Sequence, residues 1–194
     1  FLLTLASHMC RYYDPGFLFS MDVTKEEVME RLARIVIPYS QYADVYAEQD
    51  KNALAGLIAA YSNRLRELPL YIDDRTIYIE DMLYAWRSHL VRHPDTKWIG
   101  IDYFQQMQTR ERFRNRLDGY NHILAQLKAF RMNTGIPMIL LSQLNRMEWR
   151  EDDGPELHHL KDCGTLEQDA HVVMLLSALD PAKVEVDGQF AFPM

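Results

Sequence analysis

Apolar residues along this chain fall into two patterns that take turns. Phe17-Leu-Phe-Ser-Met21, Leu70-Tyr-Ile72, Trp98-Ile-Gly-Ile101, Met138-Ile-Leu-Leu141 and Val172-Val-Met-Leu-Leu176 are short, nearly continuous apolar runs, the signature of strands buried on both faces. Between them, apolar positions recur at helical spacing. Phe1 to Tyr12 reads as a helix, and the Asp14-Pro15-Gly16 turn separates it from the first strand. Thr24 followed by Glu27 makes a capping box that opens a helix with Val28, Leu32, Ile35 and Val36 on one face, stopped by Pro38. Leu54, Leu57, Ile58, Tyr61, Leu65 and Leu68 form another stripe up to Pro69. Ile79, Met82, Leu83, Trp86 and Leu90 form the next, before Pro94. A helix from about Tyr120 to Asn133 ends at Gly135, in the usual C-terminal position. Near the end, Asp187-Gly188 between Lys183-Val-Glu-Val186 and Gln189-Phe-Ala-Phe192 predicts a hairpin turn.

Fully buried strands separated by helices predict an α/β fold with a mostly parallel sheet and helices on both faces. In such sheets ligands bind beyond the carboxyl ends of the strands. Asp22 follows the first strand, Asp73-Asp74 the second, Asp102 the third, and Gln143 the run ending at Ser142. Polar residues commonly follow strands because loops begin there, but two carboxylates and an amide at one sheet edge suit phosphate-ester hydrolysis. Asp102 can hold Mg2+ through its water shell. Asp22 can orient or deprotonate the attacking water. Gln143, which both donates and accepts, can sense a terminal phosphate.

Composition narrows the setting. With 194 residues, 48% hydrophobic and 25% charged, the chain fits a single domain, 1–194, with a sizeable core. No apolar run spans a bilayer, and the start lacks a basic leader and cleavage site, so a soluble, cytoplasmic chain with no membrane partner is expected. Cys10 and Cys163 match no metal or redox spacing and are read as reduced thiols. His158-His159 is read as a solvated loop, Trp86 and Tyr84 as core packing, and Met107 and Met147 as gap fillers. The net charge of -7 argues against binding nucleic acid by bulk electrostatics alone. A local strip remains: Arg110, Arg112, Arg114 and Arg116, with Phe113 among them, suit phosphate contacts as well as they suit a solvated face.

No Gly-x-x-x-x-Gly-Lys-Ser/Thr cradle for a triphosphate occurs in the chain. The order of the remaining motifs accounts for this. Phe19-Ser-Met-Asp-Val23, Pro69-Leu-Tyr-Ile-Asp-Asp74, Asp102-Tyr-Phe-Gln-Gln-Met107, Leu127-Lys-Ala129, Leu141-Ser-Gln-Leu-Asn-Arg146 and Leu160-Lys-Asp-Cys-Gly-Thr-Leu-Glu-Gln-Asp169 resemble, in order and approximate spacing, motifs of the C-terminal RecA-like ATPase domain of the DnaB-type replicative DNA helicases. In that family the phosphate-binding loop and its central strand precede the helix matching Phe1 to Tyr12. The resemblance therefore implies a domain truncated at its start, lacking that strand and loop and inactive by itself, and incomplete at its end.

The resemblance also implies roles. Asp102 matches the Mg2+-binding Walker B aspartate, and Gln143 the glutamine coupling nucleotide state to DNA. Asp22 takes the place of the catalytic glutamate, one methylene shorter. Lys161, Asp162 and Gly164 match a loop used against the single-stranded DNA backbone. The arginine strip falls at a second channel loop, and Arg146 and Arg150 can contribute. The family's trans-acting arginine has no counterpart in Asp180 to Met194. By resemblance, ATP and Mg2+ are the cofactors, and the function is a helicase of bacterial or phage replication machinery: a homo-hexameric ring on single-stranded DNA, with primase and a helicase loader as further partners. The competing expectations are a degenerate RecA-like module without turnover and a recombinase or clock-type ATPase.

Overall fold

The computed structural model describes residues 1–12, 14–47, 50–144, 156–160 and 164–176. Strands and helices alternate as α1 (Leu2–Arg11), β1 (Gly16–Ser20), α2 (Lys25–Val36), α3 (Tyr39–Ala47), α4 (Lys51–Leu65), β2 (Leu70–Asp73), α5 (Ile79–Arg92), β3 (Trp98–Asp102), α6 (Arg116–Thr134), β4 (Met138–Leu140) and α7 (Gly164–Asp169). They divide between two units, Phe1–Gln143 and Leu144–Met194.

In the first unit four strands form one sheet in the order β2-β1-β3-β4, and every pairing is parallel. Every residue of β1 is buried, as an internal strand covered on both faces requires. Leu18 packs with Leu2 of α1, Val28, Leu32 and Ala33 of α2 and Leu65 of α4. Phe17 and Phe19 alternate to the other face. There Phe17 meets His89 of α5, with ring centroids 4.6 Å apart, and Trp86 of α5 lies 4.1 Å from Phe130 of α6. The predicted arrangement of helices on both faces is therefore observed.

Local signals behave as their chemistry dictates. The Thr24 hydroxyl accepts the Glu27 N–H at 3.3 Å while the Glu27 carboxylate accepts the Thr24 N–H at 3.3 Å, closing the capping box. Gly135 ends α6 at φ 69°, where a side chain would be strained. Gly16 is required by contact: an added Cβ would lie 2.0 Å from the Trp98 ring, whose Nε1 donates to the Asp14 carbonyl at 3.0 Å.

Some expectations fail for physical reasons. Tyr84 is 75% exposed. At about 100° per residue it points away from the side on which Ile79, Met82, Leu83 and Trp86 are buried. Helix α3 has no counterpart among the predicted elements, and the helix expected from Leu54 to Leu68 runs instead from Lys51 to Leu65. Val172 to Leu176 forms no strand, and Val172, Met174 and Leu176 are exposed. An apolar run becomes a strand only when a neighbour takes up its backbone hydrogen bonds, and no described residue does. His159 is not solvated: it is buried, and its Nδ1 accepts the Glu156 N–H at 2.8 Å. Trp86, Met107 and Cys10 are buried as expected, Cys10 as a free thiol. Met147, Cys163 and the hairpin at Lys183 to Phe192 lie outside the described residues. Among the described residues no helix is long and apolar enough to cross a membrane.

A histidine cluster gives the first unit a defined acid response. His89 is buried among Phe17, Tyr71 and His93. The Thr96 hydroxyl donates to the His93 carbonyl at 2.9 Å, so it accepts from His89 Nε2 at 2.8 Å and fixes the neutral tautomer with the proton on Nε2. Burial, reinforced by His93 and Arg92 and opposed by Asp95, pushes the His89 pKa from 6.5 down to about 4. The folded chain thus binds fewer protons than the unfolded chain in that window. This contribution to stability is complete above pH 6.5 and is lost as pH falls toward about 4. Urea midpoints measured across that range should decline for the wild type and decline less for His89→Gln; parallel profiles would contradict the assignment.

Candidate functional site

Backbone pairing brings three of the predicted residues to one sheet edge. Ser20 of β1 is in register with Asp102 of β3, and the Met21 N–H donates to the Asp102 carbonyl at 2.9 Å. On the other side Ile101 is in register with Leu140 of β4, and the Leu141 N–H donates to the Ile101 carbonyl at 3.0 Å. Asp22 and Gln143 therefore leave the sheet on either side of Asp102.

The electrostatics agree with this placement. Burial raises the Asp102 pKa and the charge of Asp22 raises it further, while Arg31 and the amino terminus at Phe1 pull it down. Asp102 is half-buried, and Asp22 and Gln143 are exposed. Two carboxylates that feel each other across a partly dry edge favour a cation between or beside them.

The Asp73-Asp74 pair has another use. Asp73 accepts the N–H groups of Arg75 and Thr76, each at 3.0 Å, and the Thr76 hydroxyl at 2.7 Å. Asp74 accepts the Lys25 N–H at 2.7 Å, at the first turn of α2. Both carboxylates thus hold loops beside the sheet.

The arginine strip divides in two. Arg110 forms an ion pair with Asp81, and its guanidinium sits 4.5 Å from the Tyr78 ring centroid. Glu80 accepts the Arg110 N–H at 3.1 Å and the Thr109 hydroxyl at 2.7 Å. Burial alone would raise the Glu80 pKa, but these hydrogen bonds outweigh it and the net shift is downward. At the other end Arg116 lies 4.9 Å from the Tyr120 ring centroid and donates to the Gln105 carbonyl at 3.5 Å. Between these anchors Arg112 and Arg114 are exposed, and no ion pair, hydrogen bond or ring contact engages either among the described residues. Phe113 packs on His122 with ring centroids 5.1 Å apart.

Lys161, Asp162, Arg146 and Arg150 lie outside the described residues, and Gly164 is the first residue of α7. One contact was not legible in the sequence. Gln105 grips the Ser142 hydroxyl and the main chain of Gln143, yet nothing in the spacing of Gln105-Gln106 sets one glutamine apart from the other.

Both the fold and the sequence have known counterparts. A family model described as the DnaB-like helicase C terminal domain matches residues 1–187. The replicative DNA helicase DnaB of Leifsonia xyli subsp. xyli is 33% identical over 165 residues, covering 84% of this chain and 35% of that protein. Its counterpart from Mycobacterium leprae is 31% identical over 164 residues, covering 84% and 27%. The chain spans about a third of the length of the curated relatives it matches. Among solved structures, one of an isolated ATPase domain superposes with a TM-score of 0.73 at 25% identity, covering 87% of this chain and 61% of that one. A DnaB-like replicative helicase, solved for its interactions with primase, superposes with a TM-score of 0.71 at 23% identity, covering 87% and 41%. These matches bear out the RecA-like parallel fold read from the sequence. With a family model matching almost its whole length, the chain belongs to the DnaB-like helicase C-terminal domain family.

Proposed function

We propose that this chain is the ATPase part of a replicative DNA helicase, in which hydrolysis of ATP drives movement along single-stranded DNA and duplex unwinding. The observation that carries the reading is the convergence of Asp22, Asp102 and Gln143 at one carboxyl edge of the sheet. Asp102 is the Mg2+ ligand. Its carboxylate is destabilised by burial and by Asp22, which is the setting a divalent cation relieves. Among the described residues no three His, Cys, Asp or Glu side chains converge, so the ion would be held by Asp102 with water and phosphate oxygens. Bound there, Mg2+ would neutralise charge on the phosphates.

The residues of the chain divide the remaining work. Asp22 orients the attacking water, and Gln143, with its side chain exposed, reads the terminal phosphate. Arg112 and Arg114 contact the DNA backbone, held in place by the anchored Arg110 and Arg116. Lys161, Asp162 and Gly164, with Arg146, form a second DNA contact. The working form is a homo-hexamer in the cytoplasm, engaging primase and a loader.

The test is ATP hydrolysis and strand separation by the complete natural protein with and without single-stranded DNA. Mg2+-dependent turnover stimulated by DNA supports the motor. DNA binding without turnover would replace it with a non-hydrolysing module, and turnover coupled to strand exchange or timing instead of unwinding would favour a recombinase or clock-type ATPase. A sharper expectation concerns the arginines. Arg112→Ala with Arg114→Ala should weaken single-strand binding and make its dependence on log salt shallower by roughly 1.4, about 0.7 for each phosphate no longer neutralised. Titrations at several salt concentrations check this, and an unchanged slope would remove both arginines from the interface.

A further inference from the structure

The side chain of Gln105 makes a two-sided amide clamp on the end of β4. Its Nε2 donates to the Ser142 hydroxyl at 3.0 Å and, at 3.5 Å, to the Gln143 carbonyl. Its Oε1 accepts the Gln143 N–H at 3.1 Å. A primary amide that donates to the Ser142 hydroxyl and accepts from the Gln143 N–H holds that stretch at two points, so a shift of the chain there strains more than one bond. The Phe104 N–H adds a fourth tie, donating to the Leu141 carbonyl at 2.8 Å.

The same residue is held from its other side. The Gln105 carbonyl accepts the Tyr120 hydroxyl at 3.3 Å and Arg116 Nη2 at 3.5 Å. Tyr120 is buried with its ring against Phe104, centroids 4.8 Å apart, and Arg116 lies over that ring. Arg116 begins α6 directly after the segment that carries the exposed Arg112 and Arg114. One residue therefore touches the main chain of Gln143 through its side chain and the anchor of the arginine segment through its backbone.

We propose that Gln105 is a positioning residue that couples the end of β4 at Gln143 to the arginine segment before α6, so that a displacement of one is transmitted to the other. This rests on the reading of Gln143 as a nucleotide sensor and of the arginines as a DNA contact. Gln105 itself touches neither nucleotide nor DNA. Its removal uncouples the two events and leaves each intact.

The experiment uses the complete natural protein, with ATP hydrolysis measured with and without oligothymidylate, oligothymidylate affinity measured separately, and thermal unfolding followed in parallel. Gln105→Met keeps length and volume while deleting all three side-chain bonds. It should reduce the stimulation of hydrolysis by DNA about tenfold, the scale of one or two lost hydrogen bonds, with the DNA-free rate, DNA affinity and unfolding temperature near wild type. Gln105→Glu, which keeps the acceptor for the Gln143 N–H, should restore part of the stimulation. Ser142→Ala, which removes one of the three Gln105 side-chain bonds, should give a smaller loss. Full stimulation in the Met variant overturns the proposal, as does a parallel fall of all activities with the unfolding temperature, which would make Gln105 merely structural. If the wild type itself shows no DNA-stimulated hydrolysis, the motor reading fails and the coupling falls with it, an outcome separable from wild-type stimulation that survives Gln105→Met.

Discussion

Asp102→Asn should lower Mg2+-dependent ATP hydrolysis by the complete protein about a hundredfold or more, because an amide of the same shape cannot replace a carboxylate as the ion's ligand. The variant should at the same time be no less stable than the wild type. Burial and Asp22 both raise the Asp102 pKa, so the ionised carboxylate is held in the fold against an electrostatic cost that the neutral amide avoids. Loss of activity with an unchanged or slightly raised unfolding temperature is the pattern expected of a group kept for chemistry at the expense of stability. Phosphate release and thermal unfolding on the same preparations give both readings. Turnover at the wild-type rate would remove Asp102 from the site; a large fall in stability would make its role structural.

The largest effect on folding is expected at Trp86→Ala, at about 3–5 kcal/mol. Trp86 is fully buried between α5 and α6, its ring against Phe130, with the Arg87 guanidinium 5.6 Å from the Phe130 ring centroid. Its Nε1 is buried without a hydrogen-bond partner among the described residues, and an unmade hydrogen bond is itself a cost. Trp86→Phe, which deletes that donor along with some volume, should therefore be milder than Trp86→Ala. Tyr84→Ala, two residues away on the solvent side of the same helix, should change stability by no more than about 0.5 kcal/mol. Urea unfolding of the three variants ranks them. Equal costs at positions 84 and 86 would mean that the facing of α5 is misassigned.

The contrast between these two aromatic residues shows what could be read from the chain alone. Strands declare themselves by unbroken apolar runs, and β1, β2, β3 and β4 all fall where those runs are, although the edge strands β2 and β4 are half-buried where β1 and most of β3 are buried. Helix ends declare themselves by side-chain chemistry, as at Thr24 and Gly135. Residue type alone does not separate Tyr84 from Trp86; helical spacing does, since Trp86 falls on the stripe with Ile79, Met82 and Leu83 and Tyr84 does not. Val172 to Leu176 is an apolar run like β3, yet among the described residues only β3 has neighbours to pair with. At the site, Asp22, Asp102 and Gln143 were legible because each follows a strand, and parallel pairing brings such positions to one edge. The anchoring of Arg110 by Asp81 and Tyr78 and the grip of Gln105 on Gln143 join segments distant in sequence, and periodicity says which face is covered, never by what.

The sheet order also sets a schedule for making the protein. β1 is synthesised before either of its neighbours, since it pairs with β2 on one side and β3 on the other. Gly16 cannot complete its pairings until both Leu70 and Trp98 exist. At a synthesis rate of ~5–20 residues per second, the wait for Trp98 is roughly 4 to 16 seconds. Throughout that interval the Phe17-Leu18-Phe19 segment has at most one of the two neighbours it pairs with, β2 but not β3, and pairing across such sequence distances is slow in any case. The nascent chain therefore carries the apolar Phe17-Leu18-Phe19 segment with its sheet edges incomplete until β3 has been made.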